Sequence, residues 1–151
     1  MSTITSRTLS FCLILSLLTC LIVPASAASS DPIEITPQDS AYFSQRRLSI
    51  SPGGNGQLQI SLFVAAKAIM SEVGATQIVV YEKQANGSYS AVRTYTRYNH
   101  SGMIQKNRAT AQINIVYPGT PGKYYYVTAA CYAKNASGSQ TTWMGSSAIK
   151  A

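Results

Sequence analysis

Between Gln57 and Ala66 every second residue is apolar, with Leu58, Ile60, Leu62 and Val64 on one side and Gln57, Gln59 and Ser61 on the other. A period of two marks a half-buried strand, because successive side chains of an extended chain point to opposite faces. Looser forms of the pattern return in Thr76–Gln84, Ser88–Tyr98, Ala109–Tyr117, Lys123–Ala133 and Gln140–Ile149, and a weaker one marks Tyr42–Ser51. Turn formers separate these runs: Pro52-Gly53-Gly54-Asn55-Gly56, Asn86-Gly87, Pro118-Gly119-Thr120-Pro121-Gly122 and Asn135–Ser139. Lys67–Gly74 keeps no clear period and reads as a connection with at most a helical turn, ended by Gly74. About seven short strands with no convincing helix predict an all-β fold, an antiparallel β-sandwich over residues 41–151.

The hairpin at Asn86-Gly87 allows a register to be set. Both central residues of a type I′ turn need positive φ, which Asn-Gly tolerates best. A two-residue loop pairs Ala85 with Ser88, and therefore Glu82 with Ala91, Tyr81 with Val92 and Val80 with Arg93. One face then carries Val79, Tyr81 and Val92; the other carries Ile78, Val80, Glu82, Tyr89, Arg93, Tyr95 and Arg97. Burying the second face would desolvate Glu82 and Arg93 at a cost of several kcal/mol per ion. The first face is therefore expected inside, which leaves Tyr89, Arg93, Tyr95 and Arg97 in solvent.

The N-terminus follows another rule. A short start carrying Arg7 leads into the apolar run Leu9–Val23, then Pro24-Ala25-Ser26-Ala27 with small side chains before a cut after Ala27. That order describes a secretory signal peptide over residues 1–27, to be removed. About 15 apolar residues fall short of the ~20 a spanning helix needs, so a membrane anchor is disfavoured. Leu17-Leu18-Thr19-Cys20 is a poor lipobox, because Thr19 is bulky and the apolar run continues past Cys20. Residues 28–40 hold Pro32, Pro37 and three acids, and read as an extended leader in which Ile33 and Ile35 can add a short edge strand.

Subtracting the signal alters the composition. The whole chain has 151 residues, 3 cysteines and a net charge of +7, with only 11% charged residues against a usual quarter. That excludes an acidic disordered tail, a coiled coil and a multi-domain enzyme. After cleavage only Cys131 remains, so no internal disulfide holds the domain and its core must suffice. From Ser40 onward eleven cations stand against Glu72 and Glu82, a net of +9.

Pro118-Gly119-Thr120-Pro121-Gly122-Lys123-Tyr124-Tyr125-Tyr126-Val127 resembles the entry to the sixth strand in fibronectin-type-III and immunoglobulin-like domains. There a Gly-x-Tyr sequence sets a tyrosine whose hydroxyl pins the loop between the sheets. By position that role falls on Tyr124, with Tyr125 as the alternative. The paired cysteines and core tryptophan of true immunoglobulin domains are absent: Cys131 is alone and Trp143 lies on the last strand. Three pieces, Ile78–Lys83, Asn86–Val92 and Gly122–Ala129, are similar to a family of small uncharacterised proteins secreted by Gram-positive gut bacteria. That resemblance spans roughly Gln57–Ile149 and implies a fold and a compartment, not an activity.

The inventory for catalysis is short. His100 and Cys131 are the only such residues after the signal, and Cys131 sits mid-strand in phase with Val127 and Ala129, where a small buried hydrophobe is expected. Glycoside hydrolysis needs two opposed carboxylates; beyond the leader there are only Glu72 and Glu82. No metal-ligand spacing occurs, and Gly53-Gly54-Asn55-Gly56 lacks the lysine and helix of a phosphate loop. No enzyme activity, cofactor or metal is expected. Three Asn-x-Ser triplets, at Asn86, Asn99 and Asn135, would accept glycans only in a eukaryotic secretory pathway.

Binding is the better-supported expectation. Tyr89, Arg93, Tyr95 and Arg97 alternate along one strand, and rings interleaved with guanidinium groups suit a glycan, a cell-wall polyanion or a protein. The basic residues are too scattered for nucleic acid. Self-assembly through edge strands is the alternative, and a small hydrolase is disfavoured.

Overall fold

The alternation that begins at Gln57 does not stop at Ala66. In the computed structural model, which describes residues 40–151, it continues as one strand to Lys83. The expected signal peptide and the leader up to Asp39 lie outside the described residues. The chain forms β1 (Phe43–Gly54), β2 (Gln57–Lys83), β3 (Tyr89–Thr96), β4 (Ile104–Pro118), β5 (Tyr124–Asn135), β6 (Gly138–Gly145) and β7 (Ile149–Lys150), with no helix among the described residues. All strands pair antiparallel within one sheet that curls as a half-barrel.

The long strand β2 joins the two arms of this sheet. Its first part lies between β1 and β4, pairing Leu62 with Leu48 on one edge and with Ile113 on the other. Its last part lies between β3 and β5, pairing Ile78 with Tyr95 and with Ala129. β5 then carries β6 and β7 on its far edge. β1 and β5 share no ladder yet approach each other, and side chains from both enter one core.

Lys67–Gly74 is therefore strand, not the connection with a helical turn that its sequence implied. Register shifts fall between Ala65 and Met70 against β4 and between Ala75 and Gln77 against β5. Along this stretch the inward set changes parity twice: Leu58, Ile60, Leu62, Val64, Ala66 and Met70, then Val73 and Ala75, then Ile78 and Val80. Bulges bend and twist a strand, which lets one strand serve both arms. Gly74 lies in this bend at φ +149°, and a Cβ there would run into the Met103 carbonyl.

The hairpin also differs from its expected form. The Gly87 N–H donates to the Gln84 carbonyl at 2.9 Å, and the Gln84 N–H donates to the Ser88 carbonyl at 2.7 Å. The loop thus has three residues, and Gly87 alone within it takes positive φ, at 85°. Asn86 acts through its side chain, whose Oδ1 accepts from the Ser88 N–H and hydroxyl. The pairing becomes Glu82 with Ser90 and Tyr81 with Ala91, and an irregularity at Val92 restores Val80 opposite Arg93.

With that register the inward face is the one expected outside. Ile78 and Val80 are fully buried and Tyr95 is nearly so, whereas Val92 is 40% exposed and Tyr81 turns outward. Val79 is buried, but outside the main core. The desolvation argument failed because Glu82 and Arg93 lie where their charges escape full burial. The Tyr125 hydroxyl donates to Glu82 Oε2 at 2.7 Å and Lys123 Nζ lies 3.6 Å from Oε1, while Arg93 lays its guanidinium over the Tyr95 ring and stays exposed.

Candidate functional site

The tyrosine triplet at 124–126 alternates sides by necessity. Tyr125 is fully buried, whereas Tyr124 is 46% exposed. The Tyr125 hydroxyl accepts from the Thr120 N–H at 2.8 Å and donates to Glu82. It is thus Tyr125, the alternative, that pins the loop before β5; Tyr124 lies under the Lys83 ammonium at 5.7 Å. Burial pushes the Tyr125 hydroxyl pKa up, with the Thr120 N–H opposing and Glu82 adding to the rise.

Tyr126, on the other side, anchors an aromatic cluster on the outer face. Its ring stacks on Tyr81 at 4.6 Å and 6°, and receives Tyr89 edge-on at 4.9 Å and 70°. Burial, then the neighbouring Tyr81 and Tyr89, raise its pKa. Tyr81 and Tyr126 are cross-strand partners on β2 and β5, and the shifted register brings Tyr89 of β3 to the same side. Such ring pairs add about 0.5–1.5 kcal/mol beyond their buried area.

Beyond these rings the outer face continues as two cross-strand rows. Thr94, Val79, Thr128 and Gly145 form one row across β3, β2, β5 and β6; Thr96, Gln77, Ala130 and Trp143 form the next. Thr128 Oγ1 is buried there with no hydrogen-bond partner among the described residues. At the far end Arg97 lays its guanidinium 4.6 Å over the Tyr132 ring and donates to Glu72 Oε2 at 3.4 Å.

The four residues expected to share one binding face are therefore divided. Tyr89 and Arg97 reach the outer face, while Tyr95 enters the core and Arg93 lies over it. Sequence reasoning missed Tyr81 and Tyr126. The signal for Tyr126 was available: with Tyr125 inside, its neighbour must point out.

Groups considered for chemistry have other partners. Cys131 is fully buried, with its Sγ 3.4 Å from Met144 Sδ, and desolvation pushes its thiol from 9.0 up to about 12 against a smaller opposing effect of Arg46. His100 sets its ring edge-on to Tyr95 at 5.3 Å. Glu72 and Glu82 are each paired with a cation. No group of three or more His, Cys, Asp or Glu occurs among the described residues. On the other arm a groove of about 560 Å³ is lined by Gln45, Arg47, Ser49, Ser61, Phe63 and Gln112, where Gln45 and Arg47 are already engaged.

No known family model and no curated protein sequence matches this chain.

Proposed function

We propose that this is a secreted, non-catalytic β-domain that binds a glycan, a cell-wall polyanion or a protein through its outer tyrosine face. The observation that carries the reading is the Tyr81–Tyr126–Tyr89 cluster: three rings held together outside the core, where folding alone gives them little to bury against. Ordered planar rings can stack on sugars or a partner's apolar groups without further loss of side-chain freedom. Lys83 on the same arm adds charge for an anionic ligand, and the net +9 from Ser40 onward favours its approach. A buried thiol with a raised pKa is the reverse of a catalytic cysteine, which supports a binding role over a chemical one.

One arm runs β1–β2–β4 and the other β3–β2–β5–β6. Two observations support reading this as an immunoglobulin-like sandwich with its B and C strands fused into β2: the strand order of the two arms, and the Tyr125 bond to Thr120, which would serve as its tyrosine corner. Secretion rests on residues 1–27, and the likeness to small secreted proteins of Gram-positive gut bacteria on the pieces quoted above.

A glycan array and a pull-down on purified cell walls test the function. Binding is expected to weaken about tenfold or more in Tyr81→Ala with Tyr89→Ala, given about 1–3 kcal/mol per stacked ring. Arg93→Ala, away from the face, should bind as the parent does. Absence of binding, or equal loss in Arg93→Ala, would refute the reading.

A further inference from the structure

Among the described residues, β1, β3, β4 and β6 are each paired along one edge only. An unpaired edge invites another strand, and natural proteins protect it with charge, proline or a bulge. Three of these four are protected. β1 carries Arg46, Arg47 and Pro52; β3 carries Arg93 and the irregularity at Val92; β4 carries Lys106, Arg108 and Pro118, with Asn107 at a positive φ of 54°.

β6 has none of these devices. Its sequence, Gly138-Ser139-Gln140-Thr141-Thr142-Trp143-Met144-Gly145, contains no charge and no proline, and it pairs with β5 without a register shift. It also holds the single tryptophan, which is 56% exposed on the outer side.

We propose that β6 is the contact through which two copies of this chain pair, antiparallel and edge to edge, into one continuous sheet. The charge distribution selects the occupant. An acidic partner would prefer the basic edges, whereas two copies of a domain with a net charge of +9 can meet only where neither brings a cation. Symmetry then restricts the register. In an antiparallel pair about a two-fold axis normal to the sheet, facing residues must lie on the same side, so the axis passes through a residue position, not between two.

Centring it on Thr142 sets Trp143 opposite Thr141 of the partner subunit. The two tryptophans become diagonal neighbours at roughly 7–8 Å, within reach of aromatic rings. This pairing does not depend on the ligand reading of the tyrosine face.

The test is sedentimentation of the purified secreted chain across the micromolar range at about 0.15 M salt, with Trp143 emission followed in parallel. A dimer is expected, with emission shifting to the blue as it forms. Thr141→Lys should keep the parent's circular dichroism and raise the dissociation constant about tenfold or more, since it sets a cation at each end of the central contact. Thr110→Lys on exposed β4 should dimerise as the parent does. A parent that stays monomeric, or a dimer indifferent to Thr141→Lys, overturns the proposal. So does a monomer whose β6 amides resist hydrogen exchange, which would assign that edge to the chain's own residues before Ser40.

Discussion

Tyr124 and Tyr125 are adjacent and chemically identical, yet one ring is half exposed and the other closes the core. Alternation along β5 turns Tyr125 inward, and there its hydroxyl makes two hydrogen bonds, from the Thr120 N–H and to Glu82. Removing its hydroxyl strands a backbone donor and leaves Glu82 to Lys123 alone. Tyr125→Phe is therefore expected to cost about 2 kcal/mol, the usual penalty for leaving partly buried polar groups unpaired. Tyr124→Phe should stay within about 0.5 kcal/mol, as exposed substitutions do. Urea unfolding of the two variants distinguishes them; the reverse order would place the pin on Tyr124. The nearby Gly119 shows how tightly the pin is built, since a Cβ there would lie 2.8 Å from the Gly56 carbonyl and 3.2 Å from the Tyr125 ring.

At the scale of elements, β2 is decided by its bend. Gly74 combines a φ that side chains avoid with a close backbone approach from the start of β4. Gly74→Ala should destabilise by about 3 kcal/mol or more, joining backbone strain to overlap that no side chain can relieve. Thermal unfolding measures it; a loss under about 1 kcal/mol would mean that the two arms can separate freely at this point. The same bend explains what the sequence revealed. Where one parity holds, as in Leu58–Val64 or Ala111–Ile115, the inward residues could be read directly. Where bulges changed parity at Ala66–Gln77, alternation vanished and a strand looked like a connection. The candidate face was lost for a related reason. One extra loop residue at Ala85–Gly87, absorbed at Val92, put Tyr89 on the same side as Tyr81 and not on the opposite one, and Asn-Gly gives no sign of which loop length it will adopt.

For the whole molecule the telling quantity is the set of groups that folding keeps neutral. Cys131 holds its proton up to about 12 in the folded protein because it is desolvated, whereas an unfolded thiol releases it near 9.0. Tyr117, Tyr125 and Tyr126 are raised from 10.0 with desolvation as the leading cause in each. Between the unfolded and folded values the native state binds more protons, so stability falls as pH rises. The contribution of Cys131 is complete below about pH 8, and part of it, on the order of 1 kcal/mol, is gone by pH 10. The self-repulsion of a basic domain also changes with pH, so the net curve alone does not isolate the thiol. Cys131→Ala does. It removes the titrating group from a site already flanked by Ala129 and Ala133, and should flatten the fall in urea midpoint between pH 8 and pH 10 relative to the parent. Parallel curves for the two proteins would mean that the thiol is not held neutral by the core. A flatter variant curve would show that Cys131 serves as a buried apolar group, and that its cost appears only when alkali draws the proton from the unfolded chain.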